Sequence, residues 1–222
     1  MSSNLLKRIF TSFFLLIFLY LSLFINSFIW LISLILISFV CFSEFSFMSK
    51  KICKNDKNFF FTNIITVLFL IVFIYSAFNL YENPPKIILF IILICIFSDT
   101  GGYICGKLIG GKKLSKISPN KTISGTIGSF IFSLGPILIF SILFKLTGNK
   151  IYFQNLTIFL IFNCLFLSLV CQLGDLFISY FKRKAKIKDT GTKLPGHGGF
   201  LDRIDGMIFV IPISYLLEKI IF

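Results

Sequence analysis

Apolar residues in this chain fall in long runs separated by short polar patches, and the runs have the length of membrane crossings. The first uncharged run, Ile9 to Ser43, holds 35 residues. As a single helix it would be about 52 Å long at 1.5 Å per residue, well beyond a hydrocarbon core of about 30 Å. The pattern therefore predicts two helices with a tight turn near Asn26-Ser27. Further apolar segments run from Phe59 to Leu80, Ile87 to Cys105, Ile123 to Leu146, Ile151 to Phe181 and Ile204 to Phe222. Together they predict an all-α polytopic membrane protein of about seven transmembrane helices with a polar site facing the cytoplasm. Loops are short and no internal repeat or low-complexity linker is visible, which predicts one integral membrane domain over residues 1–222. Its N-terminal apolar spans occupy about 1–98 and a second half, whose loops carry most of its polar motifs, about 99–222.

Composition agrees: 56% of residues are hydrophobic, 14% are charged, and the mean hydropathy is +0.93, which excludes a soluble domain. Lys7 and Arg8 before an apolar run imitate a secretory signal, but the run is too long and lacks a small-x-small cleavage site, so the anchor is expected to stay. The net charge of +13 invites a nucleic-acid partner until the charges are placed. With a cytoplasmic N-terminus, 18 of the 22 basic residues fall on one face, so the basicity reports orientation and no nucleic acid is expected. The six cysteines show no CxxC or paired spacing and read as packing residues.

Among nine acidic residues, Asp99 and Asp175 are picked out because each lies inside an apolar segment. An ionisable group at membrane depth normally has a partner and a purpose; the plain alternative is a structural ion pair or interhelical hydrogen bond. Gln172, Asp175, Ser179 and Lys182 or Arg183 recur at three- or four-residue intervals, forming one polar stripe toward the next loop. That loop, KIKDTGTKLPGHGGFLDRID, contains turn-forming glycines and ends in Asp202 and Asp205, three apart and on one face if the last helix has begun. Its cations and backbone N–H groups suit phosphate, which its carboxylates would repel. A divalent cation between them resolves the conflict, and Mg²⁺ prefers such a site, while helix capping is the plain alternative for Asp202 and Asp205. His197, the chain's one histidine, suits a hydrogen-bond donor to phosphate, a proton shuttle or a turn.

In the other loop, Gly101-x4-Gly106-Lys107 imitates a P-loop but places Leu108 where a hydroxyl should bind Mg²⁺, and it follows no strand. Gly102, Gly106 and Gly110 instead recur every four residues, which would let a neighbouring helix approach. Ser118-Pro119-Asn120-Lys121-Thr122 breaks the chain before the next span, offering hydroxyls and a lysine at a helix start.

The run Ser179-x-Phe181-Lys182-Arg183-x4-Lys188-Asp189-x-Gly191-x2-Leu194-Pro195-x-His197-Gly198-Gly199-x2-Asp202-Arg203-Ile204-Asp205 resembles, without a gap, the signature of phosphatidate cytidylyltransferases. Ser98-Asp99-x3-Tyr103-x2-Gly106-Lys107 and Ser118-Pro119-x-Lys121-Thr122 are similar to that family too, with Ser124 standing where many members carry Glu or Gln. The resemblance implies a helical enzyme of the bacterial-type inner membrane, usually a homodimer, with its N-terminus and active-site loops cytoplasmic. It joins CTP to phosphatidate, giving CDP-diacylglycerol and pyrophosphate. It further implies that Asp175 and Asp202 hold catalytic Mg²⁺, with Asp99 and Asp205 supporting it or a second cation such as K⁺. Lys121, Lys182, Arg183, Lys188 and Arg203 are then expected to hold phosphates. Ser118, Thr122 and His197 would donate hydrogen bonds, Asp189 would orient a neighbour or touch cytosine, and Ser179, Gly198 and Gly199 would line the substrate. Two other readings remain: a CTP-dependent kinase acting on a lipid alcohol, and an ion-coupled transporter, which would explain the buried aspartates but not the long mixed loop.

Overall fold

The computed structural model describes residues 3–82, 85–115, 118, 121–146, 157–196 and 198–221, with side chains described from 6 to 142 and from 158 to 218 within those ranges. The first apolar run divides where its polar pair predicts, into α1 (Ser3–Phe24) and α2 (Ser27–Ile52). Asn26 makes the break: its backbone is extended and its side chain accepts from the Ile29 N–H at 2.8 Å, capping α2. Next come α3 (Asp56–Asn79) and α4 (Lys86–Leu108). The segment read as a single span from Ile123 to Leu146 is two helices, α5 (Ile123–Phe132) and α6 (Gly135–Leu146). Pro136 has no N–H to continue the ladder of α5, yet fits the first turn of a new helix. The chain closes with α7 (Thr157–Lys184), the short α8 (Leu201–Ile204) and α9 (Met207–Ile221).

Six stretches are long and apolar enough to cross a membrane, the α5–α6 pair counting as one over Ile123–Ile142, and Met207–Glu218 is a shorter apolar helix. The described residues contain no strand, only two isolated bridges. This is an all-α polytopic membrane protein. Large side chains such as Phe10, Phe28, Phe39 and Phe60 are exposed, as lipid-facing residues must be. Inside, Trp30 donates to the Ala77 carbonyl at 3.1 Å, joining α2 to α3, and the Ser98 and Ser168 hydroxyls meet at 2.8 Å between α4 and α7. All six cysteines are free, and Cys41, Cys95, Cys164 and Cys171 are buried in the packing.

α4 and α5 form the tightest pair, because glycines let their backbones touch. A Cβ on Gly125 would stand 2.8 Å from the Gly102 carbonyl oxygen, and one on Gly128 would overlap Cys105 and come 2.7 Å from that of Gly101. Of the three glycines spaced by four, Gly102 and Gly106 do this work. Gly110 instead lies beyond the helix at φ +66° with nothing near its missing side chain, as part of a turn. Gly128→Ala is expected to force the helices apart at a cost of roughly 1–3 kcal/mol, read as a lower thermal midpoint in detergent; an unchanged midpoint would mean that this contact yields freely.

Candidate active site

α7 holds 28 residues, about 42 Å of helix, so it outruns a hydrocarbon core of about 30 Å. Its polar stripe forms as the spacing predicts. The Ser179 hydroxyl donates to Asp175 Oδ1 at 3.2 Å, Gln172 Nε2 reaches Ser168 Oγ at 3.4 Å, and Lys182 Nζ meets Asp202 Oδ1 at 2.8 Å. The helix ends at Lys184 and the chain turns away at Lys186, whose φ of +55° lets the Ile187 N–H turn back to the Lys182 carbonyl at 3.0 Å.

A second element comes back to this stripe from α4. Gly110 and Gly111, at φ +66° and +104°, reverse the chain, and the returning strand-like piece is held by Leu114 N–H to Lys121 O at 2.8 Å and Ile123 N–H to Lys112 O at 3.0 Å. The reversal delivers the Lys121 ammonium to Asp175 Oδ2 at 2.5 Å and to the Gln172 carbonyl at 3.5 Å. Thr122 caps α5 by accepting from the Gly125 N–H at 3.1 Å. Ser124 ties the turn together, 2.9 Å from the Thr122 hydroxyl and donating to the Gly110 carbonyl. Between the two elements lies a polar cavity of about 310 Å³, lined by Asp99, Ser118, Lys121, Thr122, Gln172 and Asp175 against the glycine wall of Gly102 and Gly125. Six residues singled out from sequence, Asp99, Ser118, Lys121, Thr122, Gln172 and Asp175, on three separate segments, thus share one cavity, with Gly102 in its wall.

The signature loop is a separate, adjoining piece. Asp202 is its hub, with a side chain only 8% exposed. Its Oδ1 holds Lys182, while Oδ2 accepts from the Thr190 N–H at 2.8 Å and the Gly199 N–H at 3.2 Å and lies 3.0 Å from the Thr190 hydroxyl. Gly198, at φ +83°, lies against Asp189, and Lys188, Asp189, Arg183 and Arg203 are exposed around the loop. His197 lies outside the described residues. The spacing of Asp202 and Asp205 suggested one helical face, and the backbone at Asp205 is still helical, but α8 lasts four residues and is interrupted before α9 at Gly206, where a Cβ would come 3.0 Å from the Cys171 carbonyl oxygen. The partners of Asp202 place it in the service of the loop. Asp205, ahead of the last apolar helix, faces Asp175; burial, then the Asp175 charge, push its carboxyl up to about 8.

Two residues of this arrangement escaped the sequence reading. Glu44 of α2, 3% exposed, accepts from the Phe200 N–H at 3.0 Å and the Leu201 N–H at 2.9 Å. Thr190, 1% exposed, places its hydroxyl 2.8 Å from Glu44 Oε2. The signal was available: Glu44 directly follows the first apolar run and is an acid in apolar surroundings, close to the ground on which Asp99 and Asp175 were chosen.

Residues 55–221 match the model of the cytidylyltransferase family. The chain belongs to the cytidylyltransferase family. Similar members include the phosphatidate cytidylyltransferase of Bacillus subtilis (strain 168), 40% identical over 140 residues, covering 63% of this chain and 49% of that protein. That of Rickettsia bellii (strain RML369-C) is 42% identical over 142 residues, covering 63% and 61%. That of Staphylococcus saprophyticus is 38% identical over 192 residues, covering 83% and 66%. The matched part of the chain thus spans about half to two-thirds of the length of these curated relatives.

Membership in this family implies Mg²⁺-dependent catalysis, and the donor set can be tested for it. Among the described residues no three His, Cys, Asp or Glu converge as a formed cage. What the chain does present is Asp99, Asp175 and Asp205 near enough to feel one another's charge, with Lys121 on Asp175, and Asp202 paired with Lys182 in the adjoining loop. Hard carboxylate oxygens fit a divalent cation that keeps several waters and completes its shell on substrate phosphate, which is the habit of Mg²⁺.

Proposed function

We propose that the protein is a phosphatidate cytidylyltransferase, transferring CMP from CTP to phosphatidate to give CDP-diacylglycerol and pyrophosphate. The observation that carries this reading is the meeting of Lys121 with Asp175 in a polar cavity beside the family's signature loop. A phosphatidate phosphate oxygen attacks the α-phosphorus of CTP; the new P–O bond forms as the bond to the bridging oxygen breaks, and pyrophosphate leaves with its charge. Both reactants are polyanions, so the protein's work is positioning and neutralisation. Lys121, Lys182, Arg183, Lys188 and Arg203 supply cations for the phosphates, and the Ser118 and Thr122 hydroxyls face the same cavity. Asp175 and Asp202, with Asp99 and Asp205 behind them, would hold Mg²⁺, which when bound withdraws charge from the phosphates; a second cation such as K⁺ could share the remaining carboxylates. We place the loops and N-terminus on the cytoplasmic face, where soluble CTP arrives, in a bacterial-type inner membrane, with the chain acting as a homodimer.

Purified protein given phosphatidate, labelled CTP and Mg²⁺ is expected to yield a nucleotide-lipid and pyrophosphate, and to stop when a chelator is added. A phosphorylated lipid with release of CDP would identify a kinase instead, and CTP turnover untouched by chelation would remove the metal from the reading.

A further inference from the structure

The carboxylate of Glu44 lies outside the segment that the family model matches, yet it is the point on which the signature loop is built. It is buried, and it takes the N–H groups of Phe200 and Leu201 just ahead of Asp202. The Thr190 hydroxyl stands between two acids, 2.8 Å from Glu44 Oε2 and 3.0 Å from Asp202 Oδ2, and its single proton serves one of them at a time. The loop's glycines are shaped by the same carboxylate. A Cβ on Gly191 would come 2.9 Å from Glu44 Oε1, and one on Gly199 would come 2.6 Å from Oε2 and collide with the Thr190 hydroxyl. Two glycines of the motif thus leave room for a side chain that the motif does not contain.

We infer that Glu44 is a positioning residue: through Thr190 and the backbone at 200–201 it fixes where Asp202 and Lys182 are held, and so tunes cation and phosphate binding without touching substrate. The carboxylate is needed because it alone offers acceptors on both ends; a glutamine would turn an NH₂ group toward one set of donors. The idea rests on the proposed reaction for its kinetic readout but not for its structural one.

In Glu44→Gln, hydrogen–deuterium exchange across 188–199 is expected to rise. The Thr190 and Gly199 amides in that stretch are bonded to Asp202 and not to Glu44, so a merely local contact would leave them protected. In turnover, kcat should fall about tenfold or more and the Mg²⁺ concentration for half-maximal rate should rise by a similar factor, with the phosphatidate KM within about twofold. Thr190→Val should reproduce this, Thr190→Ser should restore it, and the double variant should be no worse than the poorer single one. Folded Glu44→Gln with unchanged exchange at 188–199, or with wild-type kcat and Mg²⁺ dependence, overturns the inference. If Glu44→Gln does not fold, the Thr190 pair decides: wild-type behaviour of Thr190→Val overturns it. If the wild-type protein turns over no CTP, the proposed reaction fails, and the exchange comparison still settles the role of Glu44.

Discussion

Asp175→Asn is expected to abolish CTP turnover, with a loss on the order of 10³-fold or more, while the protein remains inserted and folded. Asp175 is where the two halves of the cavity meet: Lys121 reaches it from the returning segment after α4, Ser179 from its own helix, and Asp205 faces it from the end of α8. An amide keeps the hydrogen bond to Ser179 but gives up the charge that would hold both Lys121 and a metal ion. Because Lys121 and Asp175 are about a quarter exposed, the unpaired lysine can still reach water, so the loss should appear in kcat far more than in thermal stability. Exchange in the signature loop should stay at the wild-type level. A variant that keeps a tenth of the wild-type rate would remove Asp175 from the reacting centre.

Asp202→Asn should be nearly as damaging, for a different mechanical reason. Asp202 presents one oxygen to an ammonium and the other to two backbone N–H groups. Asparagine has a single acceptor oxygen, so either Lys182 or the Thr190 and Gly199 amides must face an NH₂ group in a site only 8% exposed. The expected outcome is a fall in turnover on the order of 10²-fold or more, accompanied by faster exchange across 188–199. The pairing of the two readouts separates this residue from Asp175. Lost activity with a fully protected loop would mean that the hydrogen bonds to Asp202 do not hold the loop in place.

Much of this was visible in the chain itself, because membrane helices announce themselves by length and polar residues within them stand out. The turn at Asn26-Ser27 was legible from a run too long for one crossing, and the stripe on α7 from simple helical spacing. Three features were hidden for physical reasons. The division of α5 from α6 depends on one proline whose effect at a helix start differs from its effect inside a helix. The separate duties of Asp202 and Asp205 depend on which distant groups each meets, Lys182 and the loop amides for one and Asp175 for the other, which spacing alone does not reveal. Glu44 meets its partner Thr190 across 146 residues of chain, in a run of phenylalanines and serines that carries no motif. Local patterns report faces of helices; they do not report which distant loop a face will receive.

The length of α7 has one more consequence. Asp175 stands nine residues before the end of that helix at Lys184, about 14 Å of axial rise, so the acid lies well along the helix from the cations Lys182, Arg183 and Lys184 at its end. On the proposed reading, a phospholipid would keep its tails among its neighbours and its headgroup at its resting depth throughout the reaction. On that same reading the water-soluble partner would make the journey instead, passing the cations at the helix end before it reaches the acid.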